Sequence, residues 1–278
     1  LVYVRGKGIV LNEPTIVAIN KKTGQLVAVG ADAKAMLGRT PHHIEVIRPL
    51  VDGVISDFEV TEEMLAYLIN KVRSETRSLV APRVLVGVPS GITNVEMRAA
   101  RDAAKNAGAR EVLLIEEPMA AAIGAKLPVG KAIGNMIIDI GGGTTDIAVI
   151  SLSGIVVAKN LRVAGDHLNA AIVAYIRDQF KVLVGDKTAE DAKIVLSSIV
   201  QHEDGKEMVV RGRDVVTGLP REVIITDTDI REAISHSIDS IVEAVRSVLE
   251  KTPPEVLADV MQRGIHISGG GALIPGLA

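Results

Sequence analysis

A run of three glycines between acidic and hydroxyl residues is the strongest chemical signal in the sequence. The run reads D-I-G-G-G-T-T-D and spans Asp139 to Asp146. Glycines let backbone N–H groups approach an anion without obstruction by Cβ atoms, and the threonine hydroxyls add further donors. A carboxylate at each end can hold a hydrated cation. The run therefore predicts a cradle for phosphate and Mg²⁺, with a tight β-hairpin turn as the structural alternative.

Two weaker signals could complete a nucleotide site. The segment S-G-G-G-A, from Ser268 to Ala272, follows a strand-like run. Glycines at such a position permit close approach of a base or a ribose, or form another phosphate loop. On a helix that begins near Thr188, Glu190 and Lys193 lie one turn apart on one face. Taken alone, this pair is equally well explained as a surface ion pair.

Several other kinds of site are excluded. The sequence has no cysteine, so disulfides, thiolate zinc sites, iron–sulfur clusters and cysteine nucleophiles are ruled out. Gly130 and Lys131 imitate a P-loop, but Ala132 replaces the hydroxyl residue that must follow the lysine. The six histidines are scattered, and we interpret them as solvated or packed side chains.

The composition restricts the protein class. Of 278 residues, 47% are hydrophobic but only 2% are aromatic, which favours a core of Val, Ile, Leu and Ala in buried strands covered by helices. The 31 basic and 34 acidic residues give a formal charge of −3, so the composition does not indicate binding to nucleic acid or anionic lipid. Apolar runs end well short of the ~18 residues that span a bilayer. The cytosol is the default location for such a chain.

The elements that position these residues alternate between strands and helices, which predicts an α/β architecture. The glycine run lies between predicted strands at 135–138 and 147–150. A strand at 112–115 runs into Glu116, Glu117 and Pro118, where proline suits the first turn of a helix. Further helices are predicted at 61–72, with Thr61 as its cap, at 94–107 and at 229–251.

An internal repeat indicates two halves of similar design. A shift of 146 positions places the predicted hairpin Leu1 to Val10 on Ile147 to Val156, strand on strand and glycine on glycine. The glycine run precedes the second copy. We therefore expect an equivalent phosphate loop just before Leu1, outside this sequence.

Five spaced motifs together resemble the actin and heat-shock ATPase superfamily, which also contains sugar kinases. They are D-I-G-G-G-T-T-D, I-E-E-P-M-A-A-A at Ile115 to Ala122, A-G-D at Ala164 to Asp166, E-D-A-K at Glu190 to Lys193, and S-G-G-G. Further segments resemble the MreB family of bacterial actin homologues: Arg5 to Pro14, Arg48 to Asp57, Thr217 to Arg221 and Glu250 to Glu255. The resemblance covers essentially the whole chain.

The resemblance implies an α/β actin-like ATPase fold with two lobes, an internally repeated core and a nucleotide cleft between the lobes. We place lobe I at 1–133, with a small subdomain at about 21–48, and lobe II at 134–278, with a small subdomain at about 186–227. It also implies that the first phosphate loop and a C-terminal segment lie outside this sequence.

The resemblance implies ATP or ADP and Mg²⁺ as ligands. Glu117 would be the catalytic residue that orients or polarises the attacking water, with Glu116 the less favoured candidate. Asp139 would lie near Mg²⁺. The nucleotide-binding residues would be Gly141, Gly142, Gly143, Thr144, Thr145, Gly165, Asp166, Glu190, Asp191, Ala192, Lys193, Gly269, Gly270, Gly271 and Ala272.

The resemblance further implies ATP-dependent polymerisation into membrane-associated filaments that organise cell-wall synthesis and rod shape. The partners would be further copies of the chain, the inner membrane surface, and cell-wall synthesis and shape-determining membrane proteins, with no nucleic acid. The location would be the cytoplasm, at the inner face of the cell membrane. Leu79 and Val80 could reach the bilayer, or could be buried in the core. A chaperone ATPase and a small-molecule kinase are the alternative functions.

Overall fold

The chain divides into two units. The computed structural model describes residues 1–76, 80–201 and 205–278. Unit 1 comprises Leu1–Val88 and Ile92–Glu116, and unit 2 comprises Pro89–Gly91 and Glu117–Ala278. Both units combine strands and helices, as the alternating sequence pattern predicts.

Unit 1 consists of short sheets and helices. Its strands are β1 (Val2–Val4), β2 (Gly8–Leu11), β3 (Val17–Asn20), β4 (Leu26–Val29), β5 (Ile44–Ile47), β6 (Leu50–Val51), β7 (Val54–Ile55), β8 (Arg83–Val88) and β9 (Glu111–Glu116). Its helices are α1 (Ala31–Ala35), α2 (Phe58–Thr76) and α3 (Asn94–Asn106). Strands β1 and β2 form the predicted hairpin, and β8 and β9 pair in parallel.

A small sheet with its own core occupies the range assigned to the subdomain at about 21–48. Strand β3 lies between β4 and β5, and all pairs are antiparallel. Helix α1 covers one face, where Ala33 packs with Ala18 and Ile16. The Glu13 carboxylate accepts a hydrogen bond from the Ala31 N–H at 2.8 Å, which ties the start of α1 to the segment before β3.

Unit 2 carries longer elements. Its strands are β10 (Asn135–Ile140), β11 (Thr145–Ser151), β12 (Gly154–Leu161), β13 (Val182–Leu183), β14 (Glu207–Asp214), β15 (Pro220–Thr226) and β16 (Ile265–Ser268). Its helices are α4 (Glu117–Gly124), α5 (Gly165–Tyr175), α6 (Asp186–Leu196), α7 (Asp227–Lys251) and α8 (Pro254–Arg263). A π-helical turn, Ile176–Phe180, follows α5, and a 3-10 turn, Gly270–Leu273, follows β16.

The central sheet of unit 2 has the order β12-β11-β10-β16. Strand β10 pairs antiparallel with β11 and parallel with β16. Met136 and Ile138 pack with Val248 of α7 and Val260 of α8 on one face, and Ile137 packs with the α4 side on the other. Because both faces are covered, β10 is almost continuously apolar, as expected for a buried strand.

Helix α4 and the residues that follow it up to 133 are part of unit 2. Residues 117–133, assigned above to lobe I, belong to unit 2. Ala122 of α4 and Leu127 are buried against Ile137 and Ala148 of the central sheet. Helix α4 therefore belongs with the sheet that it covers.

The range predicted as a second small subdomain, at about 186–227, shares its core with neighbouring helices. Helix α6 and strands β14 and β15 pack against α5 through Leu168 and Ile172, and against α7 through Ile230 and Ile234. No helix in the described parts of the chain is both long and apolar enough to cross a membrane.

Candidate functional site

The glycine run forms a β-hairpin turn. Strands β10 and β11 remain paired up to Ile140 opposite Thr145, and the Gly141 N–H donates to the Thr144 carbonyl at 2.9 Å. The turn is therefore shorter than the predicted loop, and Asp139 and Asp146 lie opposite each other in the strands. Gly141 and Gly142 are exposed. The hairpin turn is confirmed, and phosphate binding at the same turn stays a prediction.

The N-terminus of α5 is bonded to this turn. The Gly165 N–H donates to the Gly141 carbonyl at 3.1 Å, and the Asp166 N–H donates to the Gly142 carbonyl at 2.8 Å. A Cβ atom on Gly165 would lie 3.3 Å from both the Gly141 oxygen and Lys193 Nζ. The A-G-D motif thus positions the positive end of a helix dipole beside the glycine turn.

Lys193 and Glu190 connect α6 to the same place. Lys193 Nζ donates to the Gly165 carbonyl at 3.0 Å and lies 3.3 Å from Glu190 Oε2. Asn169 Nδ2 donates to Glu190 Oε2 at 2.6 Å. Both charged side chains are largely buried, so this pair is not a surface ion pair. Three motifs that are far apart in sequence meet here.

Two residues predicted to bind nucleotide do not join this cluster. Asp191 forms an exposed ion pair with Lys187 at 2.8 Å, and Ala192 is fully buried in the core of unit 2. Each residue of a helix is rotated about 100° from the preceding one, so only Glu190 and Lys193 of the motif share a face. Nucleotide binding by Asp191 and Ala192 stays a prediction that this cluster does not support.

The second glycine cluster packs against the end of β10. The parallel pairing of β16 with β10 places Ser268 beside Asp139, and the Ser268 hydroxyl donates to Asp139 Oδ1 at 2.8 Å. Gly269 has φ +82°, and a Cβ atom there would overlap the Ile140 carbonyl. A Cβ atom on Gly271 would overlap the Ile140 side chain. Both glycines thus allow close packing, while Gly270 and Ala272 complete the turn.

Three carboxyl groups lie near the glycine turn, and their environments differ. Asp146 is only 1% exposed; its Oδ1 accepts from the Ser90 N–H at 2.9 Å and its Oδ2 from Asn160 Nδ2 at 3.0 Å. Both oxygens are thus engaged by the protein, so Asp146 is not available as the second cation-holding carboxylate that the sequence suggested. Asp139 is half-buried, and within the described residues its Oδ2 accepts no hydrogen bond.

Glu117 begins α4 and is half-buried. Burial, with smaller contributions from the negative charges of Asp146 and Asp139, raises the pKa of its carboxyl to about 7. Burial also raises the pKa of Asp146, opposed by the hydrogen bonds from Ser90 and Asn160. A carboxyl group with a pKa near 7 can accept and release a proton at neutral pH, which is the property of a general base.

The two threonines of the glycine run have different roles. Thr145 is fully buried and its hydroxyl donates to the Val163 carbonyl at 2.7 Å, so it holds β11 to the segment before α5 and does not face a ligand. Thr144 is 6% exposed and ends the turn, where its carbonyl accepts from the Gly141 N–H. Sequence reasoning missed the parts played by Ser90, Asn160 and Asn169, because these contacts join residues far apart in the chain and have no local signal.

Comparison with known proteins decides the family. A sequence model of the family described as MreB/Mbl protein matches residues 1–278, the whole chain. The chain belongs to the MreB/Mbl family. The resemblance drawn from the motifs is thereby confirmed, and the chaperone and small-molecule kinase alternatives are set aside.

Individual relatives agree with the MreB/Mbl assignment. The chain is 48% identical to a cell shape-determining protein Mbl from Bacillus cereus, over all of this chain and 83% of that protein. It is 50% identical to the cell shape-determining protein MreB of Escherichia coli strain K12, over all of this chain and 81% of that protein.

Solved structures show the same fold. MreB5 of Spiroplasma citri bound to ADP superimposes with a TM-score of 0.92 and 41% identity, over 98% of this chain and 82% of that one. A MamK double helical filament superimposes with a TM-score of 0.81 at 23% identity and therefore supports the fold alone. The predicted actin-like ATPase fold is confirmed for this MreB/Mbl chain.

Proposed function

We propose that this MreB/Mbl chain binds ATP with Mg²⁺ at the glycine turn of unit 2 and hydrolyses it to ADP. The observation that carries the proposal is the turn Gly141–Thr144, whose first two glycines are exposed, which is fixed to the N-terminus of α5 and flanked by acidic groups. Within the described residues, the N–H groups of Gly142 and Gly143 form no hydrogen bond with the protein. Unused donors on a glycine turn are what a phosphate group requires. The Spiroplasma relative has been solved with ADP and with AMPPNP.

Asp139 is the residue that we expect to face Mg²⁺. Mg²⁺ is commonly held by one or two carboxylates together with phosphates and water rather than by a protein cage. The described residues contain no group of three or more His, Cys, Asp or Glu side chains that could hold a metal ion. The ion would neutralise phosphate charge. Its donor would be Asp139 Oδ2, because Oδ1 is engaged by Ser268.

Glu117 is the proposed general base. The oxygen of a water molecule attacks the γ-phosphorus, the bond to the oxygen that bridges to the β-phosphate breaks, and ADP leaves with the bonding electrons. The proton of the water passes to the Glu117 carboxylate, whose raised pKa suits it for this transfer.

The adenosine would lie along α6 and the second glycine cluster. Lys193 bonds to Glu190 and to the Gly165 carbonyl at the start of α5, and this bond holds α6 next to the phosphate turn. In this position Glu190 and Lys193 would contact the ribose. A Cβ atom placed on Gly270 would meet no atom within 4 Å, which leaves room for a flat base beside Ala272.

Filament formation and a role in cell shape are proposed from family membership. The curated relatives are named as cell shape-determining proteins. ATP binding would favour polymerisation at the inner face of the cell membrane, in the cytoplasm, where the filament would organise cell-wall synthesis together with membrane-bound shape-determining proteins. Of the two residues proposed to reach the bilayer, Val80 is 61% exposed, and Leu79 lies outside the described residues.

The test is ATP hydrolysis by Glu117→Gln. The variant keeps the shape of the side chain but removes its basicity, so we expect ATP affinity within about two-fold of wild type and phosphate release slower by ~10²–10⁴-fold. Glu222→Gln is the matched control, because Glu222 is exposed and paired with Arg211 on β14. Phosphate release by Glu117→Gln at the wild-type rate would contradict the assignment.

A further inference from the structure

Asn169 is a buried side chain of α5 with no part in the chemistry proposed so far. It lies one helical turn after Gly165 and is 6% exposed. Its Nδ2 donates to Glu190 Oε2 at 2.6 Å, which is short even for a bond to a charged group. Since a carboxylate can only accept, the NH₂ group must face Glu190 and Oδ1 must face away from it. The chemistry of the pair thus fixes the orientation of the amide.

The same carboxylate oxygen receives a second donor. Lys193 Nζ lies 3.3 Å from Glu190 Oε2 and also donates to the Gly165 carbonyl at 3.0 Å. Gly165 and Asn169 are four residues apart and therefore lie on one face of α5. Two donors from two helices hold the Glu190 carboxylate in a single orientation, so it is ordered before a ligand binds.

The other half of the Asn169 amide is not satisfied. In the part of the chain that the structure describes, Asn169 Oδ1 is buried and accepts no hydrogen bond. A buried acceptor without a donor lowers stability. A leucine would fill a similar volume without an unpaired acceptor. The amide is therefore explained by its NH₂ half, which contacts Glu190, rather than by packing.

We propose that Asn169 is a positioning residue that orients the Glu190 carboxylate toward the hydroxyl groups of the ribose, and so makes the site selective for ribonucleotides over deoxynucleotides. This inference rests on the adenosine position proposed above. A ribose hydroxyl can donate to an oriented carboxylate without first ordering it, so the full strength of a charge-assisted bond is available. A sugar without that hydroxyl leaves the carboxylate desolvated and short of a donor, which is how a polar site rejects such an analogue.

The experiment measures the dissociation constants of ADP, 2′-deoxy-ADP and 3′-deoxy-ADP with Mg²⁺, on the full chain at concentrations too low for filaments to form. We expect wild type to bind at least one of the deoxynucleotides about ten-fold or more weakly than ADP. Asn169→Leu removes the donor at similar volume, so this preference should fall to within about three-fold. A defect in folding alone would weaken the binding of all three nucleotides by the same factor and would leave the ratio unchanged.

Asn135→Leu is the matched control. Asn135 is also buried in unit 2, donates through Nδ2 to the Ile133 carbonyl and leaves Oδ1 without a partner among the described residues. It lies at the opposite end of β10 from the glycine turn, so this variant should keep the wild-type ratio within about two-fold. Glu190→Ala should lose the preference. Asn169→Leu should not reduce the ratio further in that background, because Asn169 acts through Glu190.

A wild-type ratio retained by Asn169→Leu, or wild type that binds ADP and both deoxynucleotides equally, would overturn the inference and leave nucleotide binding established. Wild type that binds none of the three nucleotides would overturn the proposed function together with the inference. If Asn169→Leu fails to fold, Asn169→Ala decides by the same ratio, since it removes the same donor and adds no bulk.

Discussion

At the residue scale, the raised pKa of Glu117, the first residue of α4, suits it for proton transfer but lowers the stability of the folded state. Its carboxyl is raised to a pKa of about 7 by burial and by two neighbouring carboxylates. A group of this kind is poised for proton transfer at neutral pH. The same environment resists its ionisation, so the folded state is destabilised whenever Glu117 carries its charge.

This cost predicts a pH-dependent gain in stability for Glu117→Gln. The folded protein binds the Glu117 proton more tightly than the unfolded chain, whose pKa is near 4.5. The stabilising contribution of that proton is therefore complete below about pH 4.5 and is lost as the pH rises to about 7. The neutral amide should match wild type near pH 4.5 and exceed it by up to about 3 kcal/mol above pH 7, at ~1.4 kcal/mol per pKa unit.

Urea denaturation from pH 5 to 8 measures the difference directly. Glu222→Gln, which alters an exposed carboxylate, should show no such trend. A difference between Glu117→Gln and wild type that does not change with pH would mean that the Glu117 pKa is close to its ordinary value.

At the element scale, the sequence predicts most strands and helices but not all of their ends. Helix α2 begins at Phe58 rather than at Thr61, because Asp57 Oδ1 accepts the Val60 N–H at 3.1 Å and Asp57 therefore acts as the cap. The Thr61 hydroxyl instead donates to the Asp57 carbonyl. Both residues are good caps, so local pattern alone could not choose between them.

In the site, too, features that depend on neighbouring residues could be predicted from the sequence, whereas contacts between distant residues could not. The glycine turn, Glu117 and the Glu190–Lys193 pair could be named from sequence, since glycine content and helix spacing are local signals. The burial of Asp146 and its bonds to Ser90 and Asn160 could not, because they depend on which strands and loops meet in the folded unit.

The close packing of the second glycine cluster predicts a large effect for Gly269→Ala. Gly269 combines φ +82° with direct packing on the Ile140 carbonyl. Gly218 has φ +72° with no atom within 4 Å, so Gly218→Ala reports the backbone strain alone. We expect Gly218→Ala to cost about 1 kcal/mol and Gly269→Ala at least about 2 kcal/mol more, in the free energy of unfolding. Equal losses in the free energy of unfolding for the two variants would show that the turn at Gly269 can move away from β10 without loss of stability.

At the scale of the whole molecule, a filament requires complementary surfaces on one subunit. Contacts of this kind repeat without closing, so assembly should show a concentration threshold that ATP lowers. We expect the small sheet of β3, β4 and β5, with α1, to supply one half of the contact. At the end of α1, Ala35 is exposed, whereas Met36 packs against the core of this sheet. Ala35 is therefore the position where a charge can test an interface without disturbing the fold.

Ala35→Lys should raise the threshold for assembly while leaving ATP affinity within about two-fold of wild type, because the residue lies in unit 1 and the proposed site in unit 2. Light scattering across a concentration series with ATP measures the threshold. Met36→Lys serves as the comparison for misfolding, since it should lower thermal stability as well. An unchanged threshold for Ala35→Lys would place the subunit contact elsewhere.

Binding of the nucleotide phosphates by the glycine turn of unit 2 is tested most directly by following backbone amide resonances during titration with ADP and Mg²⁺ below the assembly threshold. We predict that the chemical shifts of the Gly142 and Gly143 N–H groups change with nucleotide concentration and then level off, because these free donors gain phosphate partners. The chemical shift of the Gly218 N–H, on the β14–β15 hairpin, should not change. Unmoved Gly142 and Gly143 signals at saturating nucleotide would contradict phosphate binding at this turn.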